Sequence, residues 1–280
     1  MKAKYINPFT DFGFKKIFGE EASKPILIDF LASLLPEANI VDLTFKNKEK
    51  LGINTEDRKA VYDIYCESKS GEKMIVELQK AKQNYFKDRT IYYATFPIQE
   101  QAERGEWNYE LKSVYCVGIL DFSFEDKKVS ENGEVIHTVQ LKNQNNQLFY
   151  HKLKFVYLEM PHFVKQEHEL ATRLDKWLYF IKHLADFQSV PDIFRDGVFL
   201  QAFEKAEIAT YSETERHDYE QSLKSYRDLK GIIDTAFDEG KIEGKIEGKI
   251  EVAKALKASG ISLDIIASTT GLSITEIEEL

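Results

Sequence analysis

Apolar residues near the start of the chain recur with helical spacing. The run ILIDFLASLL begins behind Pro25 and stops at Pro36, which is the pattern of a helix with an early proline and a proline stop. Thr10 or Asp11 can cap a short helix before it, because either side chain can accept a backbone N–H. The apolar run at residues 40–45 then predicts the first strand.

The next segments have the spacing of strands around one long helix. Residues 59–68 alternate polar and apolar side chains, and a glycine turn joins them to a partner strand at residues 74–79, which predicts a β-hairpin. Residues 83–104 predict a helix that Pro97 bends or breaks. Residues 113–122 are almost continuously apolar, which is typical of a buried strand.

The order of these elements predicts the fold class. Helix, strand, strand, strand, helix and strand follow one another, which indicates an α/β core with a mixed central sheet flanked by helices. Strand-like segments after residue 123 predict an added β-hairpin region, and the chain from Glu167 onward has helical patterning. We therefore predict three parts, at residues 1–165, 166–239 and 240–280.

Charge and cysteine content narrow the class of protein. The net charge of −9 lies in residues 121–280, because residues 1–120 carry 18 basic and 18 acidic side chains. A neutral first half is compatible with a local basic patch for nucleic acid. Cys66 and Cys116 sit inside apolar runs, as buried thiols do in a reducing cytoplasm. With neither a secretion signal nor a membrane-length apolar run, we expect a cytoplasmic protein without a membrane partner.

Two acidic residues in the predicted hairpin are candidates for chemistry. Asp63 shares a strand face with Tyr65, and Glu77 shares one with Gln79, because side chains alternate between faces. Pairing of the two strands brings Asp63 close to Glu77. Each acid sits in an apolar run, where an ionised carboxylate needs a partner such as Mg²⁺ or Mn²⁺. The other interpretation is an ordinary solvated strand face.

The sequence around these acids resembles a known nuclease superfamily. Asp63, thirteen intervening residues and then Glu77-Leu78-Gln79 resemble the PD-(D/E)XK pattern, in which the Asp and the tripeptide lie on successive strands. The motifs NPFTDFGFKKIFG, FKDRTIYY and QAERGEWNYELKSVYCVGILDF narrow the resemblance to the Rpn-type branch of bacterial recombination-promoting nucleases and transposases. It covers residues 5–125 closely and the helical C-terminal part more loosely.

The resemblance implies a restriction-endonuclease-like fold and a DNA nuclease that uses Mg²⁺ or Mn²⁺. Asp63 and Glu77 would be the metal ligands, with the Leu78 carbonyl as a third. Gln79 stands where the superfamily usually has a lysine that orients the attacking water and stabilises charge. Glutamine can orient a water but carries no charge. Lys59, on the strand face of Asp63, is one candidate for the missing cation, and a solvated strand-end lysine is the alternative.

Four further residues are candidates for the same site. Asp11 either contributes an acid from the first helix, as superfamily members often do, or caps that helix. Arg89 is either a phosphate clamp or part of a structural ion pair. Tyr85 lies one helical turn before Arg89 on the same face, and Gln101 is a candidate for the substrate-binding surface.

The C-terminal part contains a repeat with period four. FDEGKIEGKIEGKIEV places Gly240, Gly244 and Gly248 in one stripe of a helix and isoleucines in another. Each interior glycine costs about 1 kcal/mol relative to alanine. The repeat therefore indicates either close helix–helix approach along the glycines or a flexible, frayed extension. The isoleucine stripe is a candidate surface for a partner or for self-association, and repeat growth without function is the alternative. The final segment predicts a helical hairpin, whose acidic second helix SITEIEEL argues against entry into a DNA groove.

Three functions follow from these expectations. The first is a metal-dependent DNA endonuclease that promotes recombination. The second is a catalytically weak or inactive nuclease fold that binds DNA or protein, which the uncharged Gln79 and the net acidity support. The third is a transposase in the strict sense, although the sequence has no separate basic domain for DNA ends.

Overall fold

The computed structural model of the protein describes residues 3–46, 49–50, 60–102, 105–124 and 133–280. Its strands are β1 (Leu43–Phe45), β2 (Glu49–Lys50), β3 (Ala60–Val61), β4 (Ile64–Ser68), β5 (Lys73–Gln79), β6 (Val114–Leu120), β7 (Ile136–Lys142) and β8 (Leu148–Glu159). Lys59, the candidate for the missing cation, lies outside the described residues.

Six of these strands form one mixed sheet in the order β1-β4-β5-β6-β8-β7, and β2 pairs with β3. The neighbours β5, β6 and β8 are parallel, whereas β4 and β7 each pair with antiparallel neighbours. The predicted α/β class and mixed sheet are confirmed, and the added hairpin region is β7 with β8. This arrangement is the restriction-endonuclease-like fold.

The helices of the described residues are α1 (Asp11–Phe18), α2 (Lys24–Leu34), α3 (Phe86–Gln99), α4 (Arg173–His183), α5 (Gly197–Ala206), α6 (Glu213–Ala258), α7 (Leu263–Thr270) and α8 (Ile274–Glu278). Helices α1 to α5 cover both faces of the sheet. Ile75 and Cys116 pack with residues of α3 on one face. Val76 and Val117 pack on the other face with residues of α1, α2, α4 and α5. Strand alternation thus decides which helices each side chain meets.

The start of α1 is fixed by local chemistry. Thr10 caps the helix, because its Oγ1 accepts the Gly13 N–H at 2.9 Å. Asp11 is the first helical residue, so the interpretation of Asp11 as the cap is wrong. Gly13 is required, since a Cβ there would lie 2.2 Å from the Asn7 carbonyl oxygen. Phe14 and Ile17 are then fully buried and anchor the helix.

The chain divides into two compact units, Met1–Tyr226 and Arg227–Leu280, which differs from the predicted boundaries at residues 165 and 239. In the first unit, Trp177 of α4 packs against Phe18 and Phe30, so this helix shares the core of the sheet. That residues 1–165 form a domain of their own stays a prediction.

The second unit contains the C-terminal hairpin. Helices α7 and α8 pack with the end of α6 around Ala253, Ile266 and Ile277, so the described residues contain the predicted terminal helical hairpin. Ile242 and Ile246 of the repeat are exposed. Self-association through these helices stays a prediction. No helix in the described ranges combines the length and the apolar character that a membrane crossing requires.

Candidate active site

The two predicted acids meet where β4 begins. Ile64 lies opposite Val76 in the antiparallel pair, so Asp63 comes level with Glu77. Oε1 of Glu77 accepts the Asp63 backbone N–H at 3.1 Å. Oδ2 of Asp63 accepts the Leu78 backbone N–H at 2.8 Å. Each carboxylate therefore binds the backbone of the other segment, which holds the two acids side by side.

Glu77 lies beneath α3 in apolar surroundings. A cavity of about 20 Å³ is lined by Glu77 together with residues that include Phe86, Tyr93 and Tyr157. Gly118, the neighbour of Glu77 on β6, allows this close packing. A Cβ on Gly118 would come 3.0 Å from the Tyr157 ring. The fold therefore removes most water from around the Glu77 carboxylate.

Burial and mutual repulsion oppose ionisation of both acids. Burial and the negative charge of Asp63 raise the pKa of Glu77 to about 8. Burial also raises the pKa of Asp63, although the Leu78 amide and the Lys15 ammonium favour its charged form. A cation bound to both carboxylates would favour their charged forms and lower both pKa values.

The donor set fits a hard divalent cation. Two carboxylates and a backbone carbonyl are oxygen ligands of the kind that Mg²⁺ prefers. A strand residue directs its N–H and C=O to the same edge, so the Leu78 carbonyl faces the edge where Asp63 accepts the Leu78 N–H. Within the described ranges, no cluster of three or more His, Cys, Asp or Glu side chains is arranged for a metal. Water would complete the ligand set, which suits Mg²⁺ or Mn²⁺ better than structural zinc.

Arg89 lies beside Gln79 at the end of β5. Oε1 of Gln79 accepts a hydrogen bond from Nη2 of Arg89 at 2.5 Å, and Nη1 donates to Gln83. The guanidinium also lies 5.7 Å from the Phe86 ring centroid and 5.9 Å from that of Tyr93. These hydrogen bonds, in the described part of the chain, go to neutral amide oxygens. They leave the positive charge of Arg89 available to an anion.

Helix α1 brings charged side chains to Asp63. Asp11 and Lys15 are four residues apart and therefore share one face of the helix. Nζ of Lys15 is 3.8 Å from Oδ1 of Asp63. Nζ of Lys80, which follows β5, is 2.8 Å from Oδ1 of Asp11. The charge of Asp11 contributes to the raised pKa of Asp63, so Asp11 lies near the acids while its carboxylate pairs with Lys80.

Tyr85 and Gln101 lie at opposite ends of α3. Tyr85 precedes the helix with a φ of 61° and is 81% exposed, and its carbonyl accepts the Arg89 N–H at 2.9 Å. Gln101 instead binds the backbone of Lys112, whose N–H donates to Oε1 at 2.6 Å. Lys112 precedes β6, at the opposite end of the parallel strands β5 and β6 from Gln79. Gln101 is therefore not brought to the acids, and it fastens α3 to the start of β6.

Lys15 and Lys80 are neighbours of the acids that were not predicted from the sequence. The available signal for Lys15 was its spacing of four residues from Asp11. The signal for Lys80 was its position directly after Gln79. Both lysines place positive charge next to a site whose tripeptide ends in a neutral residue.

The mixed sheet and the paired acids, where β4 begins beside the end of β5, define a nuclease-like protein with a restriction-endonuclease-like fold. The chain belongs to the PD-(D/E)XK nuclease family transposases, because residues 8–236 match the model of that family. This match confirms the resemblance that the sequence motifs indicated. Neither a curated protein nor a solved structure matches the chain.

Proposed function

We propose that the protein is a metal-dependent endonuclease that hydrolyses phosphodiester bonds in DNA and so promotes recombination. The observation that carries the proposal is the side-by-side placement of Asp63 and Glu77 at the end of β5. Burial opposes the charged form of both carboxylates, and a divalent cation is the ligand that compensates for this cost. Arg89 and Lys15 add positive charge around the same point, as a polyanionic substrate requires.

Each residue of the site has a separate task in this proposal. Asp63, Glu77 and the Leu78 carbonyl would hold Mg²⁺ or Mn²⁺, which when bound activates water and stabilises charge on the phosphate. Gln79 would orient the attacking water through its amide N–H₂, because its oxygen already accepts from Arg89. Arg89 would bind a phosphate oxygen through the remaining donors of its guanidinium.

The proposal is tested with purified protein and supercoiled plasmid DNA. We expect nicked or linear DNA when Mg²⁺ or Mn²⁺ is present and intact plasmid when a chelator replaces the metal. Calorimetric titration with Mn²⁺ without DNA supplies an independent measurement, and we expect saturable binding. Protein that neither binds Mn²⁺ nor cuts DNA would contradict the proposal and favour the second function, a nuclease fold that only binds DNA or protein.

The uncharged side chain of Gln79 is the observation that supports this second function. A transposase in the strict sense would be distinguished by its products, since strand transfer joins a DNA end to a target whereas hydrolysis leaves free ends. We expect free ends, because α8, the second helix of the terminal hairpin, carries glutamates and no basic residue and therefore does not suit entry into a DNA groove. A cytoplasmic location stays a prediction.

Arg89 offers a test of substrate binding. We expect Arg89→Ala to slow cleavage by roughly 10- to 100-fold, the effect of losing one charged hydrogen bond. Arg89→Lys should recover only part of this loss, because lysine cannot hold Gln79 and a phosphate with the same planar fork. Initial rates over a range of DNA concentrations measure both effects.

Arg195 provides the control for Arg89. This exposed arginine pairs with Asp192 and belongs to the helical part of the first unit. Arg195→Ala should cut at the wild-type rate. An Arg89→Ala variant that also cuts at the wild-type rate would show that Arg89 does not contact the substrate.

A further inference from the structure

We propose that Lys15 is a catalytic residue that supplies the positive charge which Gln79 lacks, by binding an oxygen of the scissile phosphate next to Asp63. This inference rests on the proposed nuclease function and names the group that completes its site. Nζ of Lys15 lies 3.8 Å from Oδ1 of Asp63, one of the two acids that would hold the metal. A phosphate bound to that metal would therefore lie within reach of the Lys15 ammonium.

The backbone of Lys15 is held rigidly while its side chain stays accessible. Thr10 caps α1, and Phe14 and Phe18 on either side of Lys15 are buried in the core. The Lys15 side chain itself is 46% exposed, so its ammonium group can meet a substrate from solvent. A group fixed at its backbone and free at its tip is suited to a contact that forms only when DNA binds.

Lys80 and Arg89, the other nearby cations, each have a partner at hydrogen-bond distance. Lys80 is 16% exposed, and its Nζ lies 2.8 Å from Asp11. Arg89 donates to Gln79 at 2.5 Å and approaches the acids from α3. Lys15 is different, because its Nζ lies 3.8 Å from Oδ1 of Asp63, which is longer than a hydrogen bond. The ammonium group is therefore near Asp63 without a hydrogen bond to it. Within the described part of the chain, it can therefore turn to a phosphate oxygen without breaking a hydrogen bond.

The adjacent residue in the same helix, Lys16, has a structural role. Nζ of Lys16 lies 3.0 Å from Glu20 and 2.7 Å from Glu215, so this side chain ties α1 to the start of α6. Lys15 and Lys16 have the same chemistry and neighbouring positions. Their different surroundings assign one to the site and the other to the scaffold.

The experiment compares Lys15→Met, Lys15→Arg and Lys16→Met with wild-type protein in plasmid cleavage, thermal unfolding and Mn²⁺ titration. We expect Lys15→Met to lower kcat by about 100-fold, the scale of losing one preorganised donor to the reacting group. Its melting temperature should stay at the wild-type value, and it should bind Mn²⁺ at least as tightly. Lys15→Arg should recover much of the rate. Lys16→Met should unfold at a lower temperature and keep the wild-type kcat below that temperature.

Two results would overturn the role of Lys15. One is a Lys15→Met variant with wild-type kcat while wild-type protein cuts and Asp63→Asn does not. The other is weaker Mn²⁺ binding by Lys15→Met, because the lysine would then act by positioning Asp63. Failure of the nuclease function itself is recognised separately, since wild-type protein would then not cut in any metal.

Discussion

The variant Asp63→Asn should cut plasmid DNA at least about 1000-fold more slowly than wild-type protein and keep its fold. In the wild-type protein the Leu78 N–H lies 2.8 Å from Oδ2 of Asp63, and asparagine retains an oxygen that can accept it. The contact between the start of β4 and the end of β5 is therefore preserved. The variant loses the negative charge that would bind the metal. Metal stabilisation of the transition state is worth several kcal/mol, and each 1.36 kcal/mol is about tenfold in rate.

Asp42 provides a matched control for this substitution. Its Oδ1 also accepts a backbone N–H, that of Leu43 at 2.8 Å, but it precedes β1 at the edge of the sheet. Asp42→Asn should cut at the wild-type rate. Circular dichroism of both variants checks the fold. Wild-type activity in a folded Asp63→Asn protein would show that cleavage does not use this carboxylate.

The variant Glu77→Gln should be more stable than wild-type protein at pH 8.5 when metal is absent. Glu77 has a pKa of about 8 in the folded protein against an ordinary value of 4.5, so between these values the folded state binds more protons than the unfolded chain. Its contribution to stability is therefore complete below pH 4.5 and is lost as the pH rises through about 8. Glutamine keeps an oxygen for the Asp63 N–H and never ionises.

Thermal unfolding measures this prediction. At pH 8.5 we expect Glu77→Gln to melt several degrees higher, since 1 kcal/mol shifts the melting temperature by roughly 2–4 °C in a domain of this size. At pH 4 the two proteins should melt at closer temperatures. Added Mg²⁺ or Mn²⁺ should stabilise wild-type protein and not the variant. Equal melting temperatures at pH 8.5 without metal would contradict the placement of Glu77 in a dehydrated site.

Glu67 provides a control for which the expected change in melting temperature has the opposite sign. Burial acts to raise its pKa, but hydrogen bonds from Lys73 and Lys46 outweigh burial and hold the pKa below its ordinary value. The folded state therefore gains stability from ionised Glu67 above that ordinary value and loses it as the pH falls. Glu67→Gln should accordingly lower the melting temperature at pH 8.5.

The central pair of acids could be predicted from sequence because strand geometry is local. The alternation in VYDIYC and IVELQ specified the faces of Asp63 and Glu77, and the glycine turn specified that their strands pair. The buried strand β6 could also be predicted, because its sequence VYCVGIL is continuously apolar apart from one glycine. All of its residues are buried in the structure. These features depend on neighbours that lie close in the chain.

The surroundings of the pair depend on long-range packing. Helical spacing shows that Asp11 and Lys15 share a face, but only the burial of Phe14 and Ile17 in the core decides that this face meets Asp63. The position of Gln101 follows from topology. Helix α3 connects the parallel strands β5 and β6, so it must run back along the sheet from the end of β5 to the start of β6. Its first residues therefore lie near the acids, and its last residues lie at the other end of the strands. The order of the predicted elements alone thus places Arg89, but not Gln101, at the site.

The attachment of α1 to the beginning of α6 has a consequence for how the protein is synthesised. Tyr219 accepts the Asn7 N–H at 3.0 Å, Ser222 accepts the Phe12 N–H at 3.1 Å, and Glu215 pairs with Lys16. A ribosome makes both acids long before it makes these supports. A nascent or prematurely terminated chain that ends before Ser212 would therefore carry Asp63 and Glu77 without the contacts that hold α1 against the strand end. For the nuclease that we propose, translation would delay assembly of the complete site until the first unit has been made, which would keep unfinished chains from cutting the DNA of the producing cell.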